Sequence, residues 1–270
     1  MSTHRFSRCI IAALSVLVLA SCNGRVLQDD LKDRETMFQV ATLQSLMVGN
    51  YDGFLGIGDL KRYGDIGLGT FDRANGEMVV LDGNVYQALG DGTVRIADDN
   101  ETTPFATVTW FDADISRELS PFEDLPSLTR QLDSIVFEHG RNFIYALHMD
   151  VDARIVSFRS ELPQEKPYGP LSKVLPNKLR SFTLENITGT VVAVCFPSFF
   201  TGQNTPGWHF HFLTSDRKQG GHVTDISSSG FSTALLDVTG GFHMFLPDDP
   251  SFRECDLSDD MAEDIDMTEH

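Results

Sequence analysis

Along most of the chain, apolar residues alternate with polar ones or gather in short runs bounded by turn dipeptides, which is the pattern of strands. Asn75-Gly76, Asp82-Gly83 and Asp91-Gly92 separate runs at 68–72, 77–81, 85–88 and 94–97. This spacing predicts an antiparallel meander, continued by a strand over 105–110. Strands resume at 143–149 and 155–159, and after a proline-rich bend over 162–170 they return at 182–184, 190–196 and 207–212. Helical spacing is confined to three places. Met37, Val40, Ala41, Leu43, Leu46 and Met47 predict a first helix over 36–48 that Gly49-Asn50 ends. Leu128, Leu132 and Ile135 fall on one face of a segment over 126–138, with Pro126 at its start and Gly140 just past its end. Leu257, Met261 and Ile265 recur at i, i+4 and i+8 in a segment, 254–270, that holds eight acids and no Lys or Arg. It reads as a solvated acidic tail or as a short helix laid on the body with its acids outward.

The first residues follow a different rule. His4, Arg5 and Arg8 precede an apolar run from Cys9 to Ala20, and Leu19-Ala20-Ser21-Cys22 follows. A basic start, a short apolar core and small residues before a cut mark a secretory signal, and the run is short for a membrane span. Leu-Ala-Ser-Cys resembles a bacterial lipobox, so residues 1–21 are expected to be a lipoprotein signal peptide and Cys22 the lipidated first residue of the mature chain. Asn23, in place of an aspartate, favours the outer membrane, with the protein exported and anchored on the periplasmic side. Residues 22–35 are polar enough to be a tether.

Removing 1–21 leaves 249 of the 270 residues, enough for one large domain or two packed subdomains of about 36–160 and 161–270. Arg5 and Arg8 leave with the signal, taking the formal charge from −18 to −20. That balance argues against nucleic acid and against an anionic bilayer as electrostatic partners, and leaves the lipid as the membrane contact. Of the four cysteines, Cys195 and Cys255 remain for the folded part, where an oxidising compartment would let them pair.

Candidate chemistry is concentrated in Gly207-Trp208-His209-Phe210-His211-Phe212 and the later Gly220-Gly221-His222. In a strand His209 and His211 point to one face, and Trp208, Phe210 and Phe212 to the other. The polar segment 214–221 ends in two glycines, so the chain can reverse and return His222 beside the pair. Three neutral imidazoles with one open position suit a catalytic zinc better than a structural one, which is usually closed by four ligands. Asp225 is a candidate acceptor for a ligand N–H.

These blocks carry a resemblance. The chain from about Phe38 to Glu269 resembles the alpha-acetolactate decarboxylases, through Gly64-Asp65-Ile66-Gly67-Leu68-Gly69-Thr70-Phe71, Asn75-Gly76-Glu77-Met78-Val79-Val80-Leu81-Asp82-Gly83, Gln164-Glu165-Lys166-Pro167-Tyr168, and the histidine segment through Asp216-Arg217-Lys218. The resemblance implies a zinc-dependent carboxy-lyase that turns 2-acetolactate into acetoin and carbon dioxide in acetoin biosynthesis, built as an α+β fold of mixed, largely antiparallel sheets with a few helices, the zinc site on the C-terminal sheet and the sheets joining across a homodimer. It implies His209, His211 and His222 as zinc ligands, Glu77 at or near the metal, and Arg159 facing the substrate. A second glutamate folding back from the C-terminus matches Glu269, with Glu263 and Glu254 as alternatives. The proton that completes acetoin would come from Glu77 or Glu269. Two other readings remain. Gly-x-His-x-His also resembles the opening of a cupin metal motif, but Thr214 and Ser215 stand where a cupin oxygenase would have its glutamate. A lipid-anchored metal-binding protein without activity would be favoured if Glu77 or Arg159 lay far from the histidines.

Overall fold

A computed structural model describes residues 32–269, with the side chains of Asp266 and Glu269 left aside. The expected signal peptide, Cys22 and most of the 22–35 tether lie outside the described residues. In chain order the elements are β1 (Thr36–Val40), α1 (Leu43–Met47), β2 (Leu55–Gly56), α2 (Ile57–Leu60), β3 (Ile66–Thr70), β4 (Glu77–Leu81), β5 (Asn84–Ala88), β6 (Val94–Ile96), β7 (Thr102–Thr103), β8 (Ala106–Thr109) and β9 (Ile115–Leu119). Then come α3 (Leu125–His139), β10 (Ile144–Glu161), α4 (Leu171–Lys178), β11 (Leu179–Phe196), β12 (Gly207–Thr214), β13 (Gly220–Ser227), β14 (Ser232–Thr239), β15 (Gly241–Phe245), α5 (Pro250–Glu254) and α6 (Ala262–Glu269). The class is α+β with mixed, largely antiparallel sheets and few helices.

Seven strands form one sheet in the order β15-β1-β8-β3-β4-β5-β6, with β1 and β15 its parallel pair. Six form a second, antiparallel sheet in the order β11-β12-β13-β10-β14-β9. The long strands β10 and β11 also pair with each other from Tyr145↔Cys195 to Glu161↔Leu179. Pairing therefore runs β10, β11, β12, β13 and back to β10, so this part of the second sheet closes on itself around Phe158, Phe210, Phe212 and Val223. The chain near residue 160 is not a domain boundary, since β10 and β11 on either side of it belong to one sheet.

A shared core joins the two sheets. Ile66, Leu68, Val79 and Leu81 of the first pack with Ile144, Val192, Val194 and Leu213 of the second. The other faces are equally apolar: Met78 and Val80 enter a separate cluster with Ile57 and Leu60. Burying a strand on both faces removes its alternation, and this explains the one element assigned to the wrong class. Residues 36–40, expected to open a helix, form β1 between β15 and β8, with Met37, Phe38, Gln39 and Val40 all buried. A helical stripe and a doubly buried strand look alike over so few residues. Only Leu43–Met47 is helical, capped by the Thr42 side chain on Ser45 N–H.

Elsewhere the local signals hold. Asp82 and Gly83, both at positive φ, make the two-residue turn between β4 and β5. Helix α3 starts in a capping box between Asp124 and Ser127, buries Leu128, Leu132 and Ile135, and ends at Gly140 with φ of 128°. In the acidic segment Ala262–Glu269 forms α6, and its Ile265 is buried against Leu43, Leu46, Leu171 and Leu175, while α5 shares only Glu254 with that segment. Cys195 is buried and Cys255 partly buried, and both are free thiols, so the pairing allowed for above does not form.

Candidate active site and metal centre

The site lies where β4 of the first sheet faces β10, β12 and β13 of the second. On β12 the residues Trp208, Phe210 and Phe212 enter the closed side of the second sheet, so His209, His211 and Leu213 face the first sheet. His222 is the register partner of His211 on β13. On β4, Val79 and Leu81 point at the second sheet, and Glu77 shares their parity. Strand β10 needs a break in alternation. Tyr145, Leu147, Met149, Val151 and Ala153 fill the closed side, but beyond them Val156 and Phe158 do so. This change of parity turns Arg159 and Glu161 toward the histidines, and a bulge against β13 follows between Ser157 and Phe158.

The three histidines are buried, and their ring nitrogens converge. His209 Nε2 lies 3.1 Å from His211 Nε2 and 3.0 Å from His222 Nδ1. The His211 Nδ1–H donates to the Met78 carbonyl at 2.8 Å, leaving its Nε2 lone pair on the side of the other two rings. Burial pushes the His211 imidazole down to about 3, against the opposing pull of that carbonyl, so the ring is neutral at ordinary pH. Four-coordinate zinc with imidazole ligands sets nitrogens roughly 3.3 Å apart, close to the spacings here. A set of three buried imidazoles converging on one point fits a divalent metal ion.

Around this triad Glu77 Oε2 lies 3.5 Å from His211 Nε2. The Arg159 guanidinium reaches the triad's edge, with Nη2 3.3 Å from His222 Nε2 and donating to the carbonyl of Thr268 in α6. Arg159 Nε is buried with no hydrogen-bond partner among the described residues, a donor left for a ligand. Glu77, Arg159, His209 and His222 line a cavity whose apolar wall includes Leu43, Leu46, Phe105, Leu171 and Leu175.

The structure thus brings together Glu77, Arg159, His209, His211 and His222. Glu77, with its carboxylate buried at the triad, is not the exposed strand residue that its type alone would suggest. Glu269 ends α6, and its side chain lies outside the described residues. The two alternatives for its role, Glu254 and Glu263, are exposed and do not line the cavity. Asp225 is also exposed, and instead of a ligand ring it receives the N–H groups of Leu125 and Ile226. One further group at the site belongs to no motif. Glu161 is buried, lines the same cavity and is hydrogen-bonded to Glu77. Burial raises its carboxyl above the ordinary value, against the lowering effects of that bond and of the Arg159 charge. Its signal was the two-residue spacing from Arg159, which puts both on one face of a strand.

Comparison with known proteins agrees with this arrangement. A family described as alpha-acetolactate decarboxylase matches residues 37–259. The alpha-acetolactate decarboxylase of Methanosarcina mazei is 40% identical over 235 residues, covering 87% of this chain and 80% of the relative. That of Bacillus subtilis is 30% identical over 250 residues, 92% of this chain and 96% of the relative. The crystal structure of alpha-acetolactate decarboxylase from Bacillus subtilis strain 168 superposes with a TM-score of 0.83 at 30% identity, over 87% of this chain and 99% of that one.

Proposed function

The chain belongs to the alpha-acetolactate decarboxylase family, and from that premise we propose that it converts 2-acetolactate to acetoin and carbon dioxide with a zinc ion held by His209, His211 and His222. The observation that carries the reading is the meeting of three convergent imidazoles, a buried carboxylate and a guanidinium in one cavity. The closeness of Glu77 and Arg159 to the triad disfavours a metal-binding protein without activity.

Acetolactate bears its carboxylate on a carbon that also carries a hydroxyl and adjoins a ketone. When the bond to the carboxylate breaks, carbon dioxide leaves and the electron pair passes into the ketone oxygen as an enediolate. One proton then returns to the carbon that lost the carboxylate, giving acetoin. Zinc bound by the triad would supply the Lewis acidity that stabilises the negative charge developing on the substrate oxygens. Arg159 holds the departing carboxylate, for which its unpartnered Nε–H and the planar fork are suited. Because arginine stays protonated, it binds and orients but does not deliver the proton. Glu77, buried beside His211, stands where a carboxyl can hold and return a proton, with Glu269 as the alternative source. Leu43, Leu46, Leu171 and Leu175 exclude water and accept the methyl groups.

The test is acetoin formation from racemic 2-acetolactate by the purified domain, with the handedness of the product measured. Acetoin of one hand supports protonation from a placed acid, whereas no acetoin at all rules the reading out. The family resemblance also carries a homodimer, tested by light scattering on the same sample. The lipobox-like Leu19-Ala20-Ser21-Cys22 supports export and lipid anchoring; among the described residues no helix is long and apolar enough to cross a membrane.

A further inference from the structure

The block Gln164-Glu165-Lys166-Pro167-Tyr168 lines no part of the cavity, yet it belongs to the segment that brings one wall there. That segment, 162–178, is an excursion from the second sheet between the paired ends of β10 and β11. Glu161 and Leu179 are register partners, and the Leu162 N–H donates to the Lys178 carbonyl at 3.0 Å, closing the neck. The excursion carries α4, whose Leu171 and Leu175 are buried and line the cavity beside Leu43 and Leu46. Past the neck it is fastened to residues 51–52 and 73. Gln164 N–H donates to the Arg73 carbonyl and Arg73 Nε–H to the Gln164 carbonyl, each at 2.8 Å. The Tyr51 hydroxyl donates to the Gly169 carbonyl at 2.8 Å, and its ring stands edge-on to that of Tyr168. Asp52 accepts from Tyr168 OH at 2.8 Å on Oδ1 and from Lys166 Nζ at 2.6 Å on Oδ2.

The two Asp52 contacts are unequal. The Lys166 and Asp52 side chains are 65% and 43% exposed, so water screens their ion pair and it contributes little. Tyr168 is half-buried and ends on a charged acceptor, three residues before Leu171, so this bond is the one that bears on α4. We propose that the excursion selects substrates by size: Leu171 and Leu175 gauge the alkyl group on the hydroxyl-bearing carbon, and Asp52, outside the cavity, is the positioning residue that holds α4 where the gauge works. This rests on the decarboxylase reading and extends it to the choice among 2-hydroxy-2-alkyl-3-oxo acids. With the carboxylate held by Arg159 and the polar oxygens turned toward the histidines, the alkyl group is left to the apolar side of the cavity. A close-packed wall there discriminates roughly 10- to 200-fold per methylene.

Two pairs of probes test this on the zinc-loaded protein. 2-Acetolactate and its homologue with propyl in place of the methyl on the hydroxyl-bearing carbon are compared by kcat/KM. 2-Hydroxy-2-methylpropanoate and 2-hydroxy-2-methylpentanoate, which lack the ketone and do not react, are compared by calorimetric Kd. Leucine to alanine removes three carbons, more than the two that propyl adds, so Leu171→Ala or Leu175→Ala is expected to shift both ratios toward the larger probe by about tenfold or more. Asp52→Ala is expected to shift them the same way by about threefold or more, with zinc content unchanged. Asp52→Asn keeps an oxygen for Tyr168 and gives up only the charge, so it is expected to restore most of the wild-type ratio. Unchanged ratios in both leucine variants, equal loss on both probes in Asp52→Ala, or no recovery in Asp52→Asn overturns the proposal. Hydrogen exchange needs no ligand: the amides of 171–178 are expected to exchange faster in Asp52→Ala than in wild type while β12 and β13 stay protected, and unchanged exchange shows that Asp52 does not hold α4. Should wild type make no acetoin, the decarboxylase reading falls by itself. The calorimetric ratios still decide the gauge, and failure of wild type to bind either acid overturns it.

Discussion

Replacing Arg159 with lysine tests the part of the site that acts on the substrate rather than on the metal. In the structure the guanidinium spends Nη2 on the Thr268 carbonyl and stands 3.3 Å from His222 Nε2, while Nε is buried and unpartnered among the described residues. Lysine offers a single ammonium on an unbranched stem, so it can hold the Thr268 carbonyl or the substrate carboxylate but not both in the same plane. One charged hydrogen bond, worth about 1.5–3 kcal/mol, is therefore lost as the carboxylate departs, or roughly ten- to a hundredfold in rate. The assay is acetoin release across a range of substrate concentrations, with zinc measured on the same samples. Arg159→Lys is expected to keep its metal, because none of the three imidazoles is touched. Helix α6 is expected to stay docked through Ile265, which is buried independently of the arginine. An unchanged kcat/KM would refute the assigned role, and loss of zinc would show that Arg159 supports the metal site instead.

His211→Ala is expected to lose most of its zinc while remaining folded, since β12 keeps its pairing with β11 and β13; full metal content by elemental analysis would contradict the ligand assignment. Leu132→Ala, at a fully buried position where α3 meets the closed sheet, should cost about 2–5 kcal/mol in urea unfolding, and a cost below 1 kcal/mol would mean that the helix is not anchored there. Asp237 is buried near Asp112, Asp114 and Glu35, and burial first, then those charges, raise its carboxyl from the ordinary 3.8 to about 7. The folded protein then holds a proton that the unfolded chain releases, so stability present below about pH 4 is lost as the pH climbs to about 7; Asp237→Asn should raise the unfolding midpoint at pH 8 and much less at pH 4, and an equal change at both would contradict this sign. Mass spectrometry of the native protein should find Cys22 as a lipidated first residue, and an unmodified or differently cleaved N-terminus would exclude it.

How much of this was legible in the sequence depended on whether a signal was local. The Asp82-Gly83 turn, the ends of α3 and the His209/His211 alternation are decided by neighbours a few residues apart, and they stand where the pattern put them. Residues 36–40 were misread because the strand's two faces are both covered, which no neighbouring residue reports. The strands at 143–149 and 155–159 were seen, but their fusion into one was not, because the polar stretch between them reflects an exposed face of β10 and not a loop. Helix α4, with Pro176 in its last turn, and strands β9, β14 and β15 left no clear mark. In the site, the residues tied to a motif were found. Glu161 was missed because its importance comes from Glu77, eighty-four positions earlier in the chain and on the other sheet.

The most direct test of the central claim is a titration of metal-free protein with zinc, following bound metal and acetoin release from 2-acetolactate in the same samples. The account predicts that turnover is absent without metal, rises in proportion to bound zinc and levels off at about one ion per chain, as expected for a single three-histidine site. Full turnover by protein shown to be free of metal, or zinc bound at one per chain with no acetoin formed, would contradict it.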